Sequence, residues 1–271
     1  MTQDVWLARH PYLQRVADFH AQVSAAAAGI SAARTHTPNF DNYIGDYKVG
    51  IPLLRSSQTA IDFEPAEAIL VSLVESLASQ PVPENFAGEC RVLHTHLRSE
   101  LNVPRRVVAW LLDNEDFKPA RPGLLRYLGW TALARFLCPL VDAFGNWREE
   151  ERWLRGYCPT CGSPPAMAQL VGIDPGRLRL LSCGCCSTRW RYRRIGCPFC
   201  ESADDHRLSA LAIEGEKSLR IDYCQSCRAY LKTYNGEGSE PLFLADWTSL
   251  HLDIIARDSG LKRLAASLYE L

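Results

Sequence analysis

The 271-residue sequence has almost no net charge: 30 Lys and Arg stand against 31 Asp and Glu, a formal balance of -1 at pH 7. A chain so balanced is not, taken whole, a polyanion binder. An early secretory pattern is also missing. The opening MTQDVWLARHPY carries Asp4 and has no apolar core followed by a small-residue cleavage site. The expectation is a cytoplasmic protein. No run of about 18 uncharged apolar residues occurs, so no membrane span is expected. The composition, 47% hydrophobic and 23% charged, excludes global disorder. The length suggests one to three domains.

Cysteine, by contrast, is plentiful and clustered. Nine of the eleven cysteines lie between 158 and 227, and eight of those nine form four C-x-x-C pairs. In a reducing compartment such regular pairs point to metal rather than to disulfides. The pairs are Cys158/Cys161, Cys183/Cys186, Cys197/Cys200 and Cys224/Cys227. Cys158 to Cys197 is a step of 39 and Cys183 to Cys224 a step of 41, so the second two pairs repeat the first two with a short insertion. Gaps of 21 and 23 residues inside the two units each fit two short strands running out and back. Each unit then reads knuckle, hairpin, knuckle, strand. A C-x-x-C turn brings two thiolates to one side of a cation, and a second turn completes a tetrahedron. Thiolates select zinc or iron over magnesium or calcium. A module of about 40 residues has little core of its own, and ligation worth roughly 10–16 kcal/mol can decide its folding. Redox-active dithiols are the main competing reading, but those carry one motif at a strand-to-helix junction. Cys185, inside Cys183-Gly184-Cys185-Cys186, is left as a spare thiol by the two-residue spacing. With four protein ligands per site, neither site keeps a position open for catalysis.

The first half reads as helical. Candidate helices cover 11–35, 64–79 (Asp62 before it, Pro65 in its first turn), 84–100, 103–113 (Asn102 as N-cap, Pro104 in the first turn) and 122–144 (Gly145 as C-cap). Trp110, Trp130, Phe136 and Phe144 are expected in the core. His94 and His96 resemble a ligand pair, but positions i and i+2 of a helix face different ways. Cys90 and Cys138 are expected as buried apolar residues. Near 156 the pattern turns to short runs at 166–171, 177–182, 187–195, 206–213, 218–223 and 229–234, which read as strands. A linker, NGEGSEP, follows 235, and a helical pattern returns from about 246 with Asp246 as N-cap. The expected fold is α+β: a helical domain (1–155), two four-cysteine modules (156–195 and 196–236), then a linker and C-terminal helical segment (237–271).

Between the modules runs Arg189-Trp190-Arg191-Tyr192-Arg193-Arg194. On a strand, Arg189, Arg191 and Arg193 share one face and Trp190 and Tyr192 the other. A half-buried strand with a solvated arginine face is the plain reading; a partner-docking surface is the functional one. Residues 151–235 hold 13 Lys and Arg against 8 Asp and Glu, short of a nucleic-acid footprint.

The cysteine half resembles the formate dehydrogenase accessory protein (FdhE) family. The residues that carry the resemblance are Tyr157-Cys-Pro-Thr-Cys-Gly-Ser-Pro-Pro165, Leu181-Ser-Cys-Gly-Cys-Cys with Trp190 after it, Cys197-Pro-Phe-Cys-Glu201, and Cys224-Gln-Ser-Cys-Arg-Ala-Tyr-Leu-Lys-Thr-Tyr234. Asp246-Trp-Thr-Ser-Leu-His-Leu-Asp253 and His10-Pro11-Tyr12, with Phe19 and Gln22 beyond, are similar to the family's late and early segments. The resemblance implies a helical domain with two rubredoxin-like modules and no enzymatic activity. It also implies iron in preference to zinc, and a cytoplasmic role with the catalytic subunit of twin-arginine-exported formate dehydrogenases, which carries a molybdenum cofactor and an iron–sulfur cluster. The eight C-x-x-C cysteines become its metal ligands. A nucleic-acid-binding zinc ribbon and a rubredoxin-type electron carrier are the alternatives from other classes.

Overall fold

The alternating runs after 156 form six strands: β1 (Pro165–Val171), β2 (Leu178–Cys183), β3 (Arg189–Tyr192), β4 (Leu208–Ala212), β5 (Leu219–Cys224) and β6 (Tyr230–Tyr234). They are seen in a computed structural model that describes residues 2–31, 36–80, 84–119, 121–173, 176–236 and 240–269. The six make one sheet in the order β3-β2-β1-β6-β5-β4. Each half is an antiparallel meander from one cysteine module. The halves join through a short parallel pairing of β1 with β6, in which Met167 faces Lys232 and Gln169 faces Tyr234. The two modules therefore share a sheet. Burial explains the order. β6 is buried along its whole length and β1 along all but its last residue, whereas the edge strand β4 is half-exposed. A central strand covered on both faces needs near-continuous burial; an edge strand does not.

The chain divides into two compact units. The first comprises Met1–Ala17, Tyr43–Arg55 and Arg148–Ser267. It holds the sheet with four short helices: α1 (Gln3–Arg9), α3 (Ile44–Val49), α8 (Glu240–Phe243) and α9 (Leu250–Asp258). The second comprises Asp18–Asn42, Ser56–Trp147 and Leu268–Leu271. It holds most of α2 (Gln14–Ala28), with α4 (Glu64–Ser79), α5 (Glu84–Leu97), α6 (Val103–Leu111) and α7 (Pro122–Trp147). Helix α4 packs on α5, α6 and α7. It does so because Ala66, Ile69, Leu70, Leu73, Val74 and Leu77 fall on one helical stripe and are all buried. Trp130, Phe136 and Phe144 of α7 are buried as expected, while Trp110 is half-buried with the Arg126 guanidinium 5.0 Å from its ring centroid. By length and composition α7 could cross a membrane, but 61% of its apolar window is buried in the protein, as in a core helix.

Several boundaries differ from the sequence reading. Gly145 does not end α7; the helix continues to Trp147, whose ring stacks on Phe144 at 5.9 Å and reaches Phe40 at 5.3 Å. Asn102 occupies the N-cap position of α6 but has φ -91 and ψ -7, helical values that leave its side chain without a capping hydrogen bond. A 3-10 turn over Pro11–Leu13 precedes α2, which ends at Ala28; positions 32–35 of the expected helix lie outside the described residues. Positions 237–239 of the expected linker do too. Cys90 is buried, but Cys138 is exposed.

Candidate metal centres

Each cage begins with a local turn. In all four knuckles the first cysteine's N–H donates to the carbonyl five residues on: Cys158 to Ser163, Cys183 to Thr188, Cys197 to Ser202 and Cys224 to Ala229, each at 2.9 Å. The residue after the second cysteine takes a left-handed backbone in every case: Gly162 (φ 83), Ser187 (φ 61), Glu201 (φ 58) and Arg228 (φ 61). Only one of the four is glycine, the residue for which this conformation carries no steric cost. The duplicated spacing is thus a duplicated backbone shape.

The hairpins bring the knuckles together within each unit. Cys158 Sγ lies 3.5 Å from Cys186 Sγ, Cys161 Sγ lies 3.5 Å from Cys183 Sγ, and Cys161 and Cys186 are 3.6 Å apart. In the second unit Cys197 and Cys227 are 3.7 Å apart, and Cys200 and Cys224 3.8 Å. A tetrahedron of thiolates with metal–sulfur bonds of about 2.3 Å has edges of about 3.8 Å. Each set of four therefore has the size and donor chemistry that could hold one thiophilic ion. Cys185 is buried beside the first set but is not one of its four; its backbone N–H points at Cys183 Sγ, 3.4 Å away.

Thiol acidity shows how crowded the cages are. Burial would push the Cys158 thiol up, yet hydrogen bonds from Cys161, Cys183 and Cys186 pull it well down. In the second cage burial is overcome at Cys224 by the backbone N–H groups of Cys227 and Ser226 and by the Cys200 and Cys227 thiols, leaving it at about 7. Cys183, whose thiol bonds to its neighbours favour the neutral form, is pushed well up, as are Cys186 and Cys197 by burial first; burial also raises Cys227. Cys158 in the first cage and Cys224 in the second are thus held towards the thiolate form by their neighbours.

The covers of the cages differ. A strap over residues 51–55 lies on the first knuckle, with Leu53 N–H donating to Pro159 O and Leu54 N–H to Thr160 O, both at 2.9 Å. Gly162 sits beneath it: an added Cβ would come within 3.0 Å of Arg55 Nε and 3.1 Å of Pro52 Cγ. All four cysteines of the first cage are buried, while in the second Cys200 is exposed and Cys227 half-buried.

The arginine strand is committed largely within its own unit. Arg189 pairs with Glu240 and Gln169, Arg191 with Glu151, and the Arg193 guanidinium lies 5.4 Å from the centroid of the Tyr192 ring. On the opposite face Trp190 and Tyr192 are buried.

One polar cluster escaped the sequence reading. Lys232, at the middle of β6, is 1% exposed. Its Nζ reaches Asp246 Oδ1 at 2.6 Å and Asp253 Oδ2 at 2.9 Å, and Arg263 binds the same two carboxylates at 2.8 and 2.7 Å. Tyr230 donates to Asp253 at 2.6 Å. Two cations face two anions, so the buried cluster is neutral. Burial would raise the Asp246 carboxyl, but Lys232 and Arg263 hold it at about 2. Asp246 is therefore a partner of this network inside a 3-10 turn, Asp246–Ser249, and not the N-cap of a helix. A lysine amid Tyr-Leu-Lys-Thr-Tyr was the available signal.

Comparison with known proteins agrees with this architecture. Residues 157–194 match the family described as FdhE, central domain. The chain is 24% identical over 254 residues to an FdhE homologue from Aquifex aeolicus, covering 92% of this chain and 83% of that protein. It is 32% identical over 203 residues to an FdhE homologue from Pseudomonas aeruginosa, covering 69% and 62%. The crystal structure of the FdhE protein from Pseudomonas aeruginosa superposes with a TM-score of 0.62 at 22% identity, over 99% of this chain and 96% of that one, and so shares the fold.

Proposed function

We propose that this chain, which belongs to the FdhE family, is a formate dehydrogenase accessory protein that acts without catalysing a reaction of its own. It binds the catalytic subunit of an exported, twin-arginine-type formate dehydrogenase in the cytoplasm and supports formation of active enzyme. Cys158, Cys161, Cys183 and Cys186 ligate one metal ion, and Cys197, Cys200, Cys224 and Cys227 a second. Iron is favoured over zinc, as the family resemblance implies. Residues 156–195 and 196–236 form the two modules, preceded by the helical region (1–155), of which 1–17, 43–55 and 148–155 belong to the unit that holds the sheet, and followed by the C-terminal segment (237–271). The observation that carries the reading is the pair of complete four-thiol cages on one shared sheet, in a chain of this family. Four protein donors saturate a tetrahedral ion, which suits a structural or partner-facing site better than a catalytic one. The internal pairing of Arg189 and Arg191 removes the main motive for a nucleic-acid reading.

The test is an anaerobic pull-down with the tagged chain from an extract in which the formate dehydrogenase catalytic subunit is demonstrably present. Recovery of that subunit, together with reduced formate dehydrogenase activity in a deletion strain, is the expected result. Repeated absence of the subunit and undiminished activity would overturn the reading.

A further inference from the structure

Two segments that the cysteine chemistry leaves unused, the early His10-Pro11-Tyr12 and the late Asp246–Asp253 stretch, meet in the first unit. His10 closes α1, immediately before Pro11 opens a 3-10 turn. His251 is the second residue of α9. Between them stands Glu216, from the hairpin that joins β4 to β5. Glu216 Oε1 lies 2.6 Å from His10 Nε2 and 3.1 Å from His251 Nε2, and one ligand atom from each residue falls within 4.8 Å of the others. The side chains are 11%, 7% and 13% exposed for His10, Glu216 and His251, so water covers little of the carboxylate.

The proton inventory makes this more than a surface salt bridge. His10 Nδ1 is 3.0 Å from the Trp6 carbonyl oxygen. A carbonyl only accepts, so Nδ1 carries the proton, and in the neutral ring the Nε2 lone pair then points at the carboxylate. Two acceptors cannot face each other at this distance without a positive centre between or on them. Metal-binding histidines are held in this way, with the rear nitrogen donating to a backbone carbonyl and the front nitrogen free to ligate. The surroundings also fit. The Trp6 ring stacks on His10 at 4.0 Å, its Nε1 donates to Thr248 O at 3.1 Å, and Phe243 packs edge-on against it at 5.0 Å. On the outer side Tyr12 closes against both imidazoles, at 5.7 and 5.9 Å.

We propose that His10 Nε2, the Glu216 carboxylate and His251 Nε2 bind a first-row divalent cation, a third metal site distinct from the two cysteine cages. Two imidazoles and a carboxylate form a harder donor set than four thiolates and suit zinc or ferrous iron, with coordination left over for water or one exchangeable ligand. The cation supplies the charge that the buried carboxylate faces, and it ties the N-terminal helix, the β4–β5 hairpin and α9 together. The proposal does not depend on which client the protein serves.

The experiment is to titrate the full chain, its cysteine cages already loaded, with Zn2+ alone. Metal per chain is read after gel filtration, and the imidazole nitrogens by 15N NMR. Expected are one further bound equivalent and movement of the His10 and His251 Nε2 resonances. His251→Ala and Glu216→Gln should weaken that equivalent about 100-fold or more while sparing the cage metal. The wild-type titration decides the matter if either variant fails to fold. No further equivalent and unmoved imidazole resonances would overturn the site and leave a protonated His10 clamped to Glu216.

Discussion

The two cysteine cages share spacing, knuckle shape and sulfur geometry, yet one is closed to solvent and the other is not. Cage one has all four cysteines buried and the 51–55 strap bonded across its first knuckle, while cage two leaves Cys200 exposed and Cys227 half-buried. What backs cage two is the C-terminal segment: Lys262 N–H donates to Arg228 O at 2.8 Å, and the Lys232 network anchors β6 next to it. Identical local chemistry therefore sits under different covers. The difference teaches that cysteine spacing sets the donor cage a site can offer, whereas packing around it sets how readily solvent reaches that cage.

The largest expected effect comes from removing one ligand in each cage. On the proposed ligation, roughly 10 kcal/mol is at stake in either module. Cys158→Ser should abolish metal in cage one and melt the module, because it also leaves a small hydroxyl in a dry site. Cys200→Ser should cost less stability, since its hydroxyl meets water, and in the unmutated protein a chelator should empty cage two first. Metal content and thermal unfolding measure both; equal losses, or cage one emptying first, would break the contrast.

Next in size is the network behind cage two. Lys232→Met leaves two buried carboxylates facing one cation and should cost about 3–5 kcal/mol in denaturant unfolding. A change below about 1 kcal/mol would mean that the cluster does not anchor β6.

The same cluster has a pH signature. Asp246 is held at about 2, below its ordinary value of 3.8, by Lys232 and Arg263 against the opposing effect of burial. A depressed carboxylate contributes fully above its unfolded value and loses that contribution as pH falls through about 4 towards 2. The amount is about 2 kcal/mol. The stability gap between wild type and Asp246→Asn should narrow over that window in urea titrations; a gap independent of pH would contradict it.

The smallest effects lie in the knuckles. Glu201 and Ser187 hold left-handed backbones while exposed, so replacement of either by glycine should gain up to about 1 kcal/mol. Arg228→Gly should gain less, because Arg228 also donates to the Ser259 and Gly260 carbonyls. Gly162→Ala should lose about 1–2 kcal/mol, for the strap leaves no slack there. Thermal shifts of the four variants would rank them, and a gain at Gly162 would show that the strap is loose.

Much of this was legible in one dimension. The expected helix at 64–79 coincides with α4, and all six expected strands formed, because hydrophobic periodicity is a local property of the chain. The strand expected over 187–195 shrank to Arg189–Tyr192, since Ser187 is spent on the knuckle's left-handed residue. Two of the misread caps were overridden by tertiary partners. Gly145 and Asp246 each looked like terminators by residue type, but aromatic stacking carried α7 onward and two buried cations claimed the aspartate.

Sequence alone determined the two four-thiol donor sets, the hairpins between the knuckles and the duplication, because a C-x-x-C turn and the gap to its partner act over some twenty residues. Tertiary structure alone decided the parallel joining of β1 to β6, the strap that closes one cage and not the other, the burial of Lys232 among Asp246, Asp253 and Arg263, and the meeting of His10 with Glu216 and His251. The Lys232 contacts with Asp246 and Asp253 span 14 and 21 residues, and the longest of the other pairings exceed two hundred. No local pattern encodes them; they follow from which surfaces are left to bury once the cages and helices have formed.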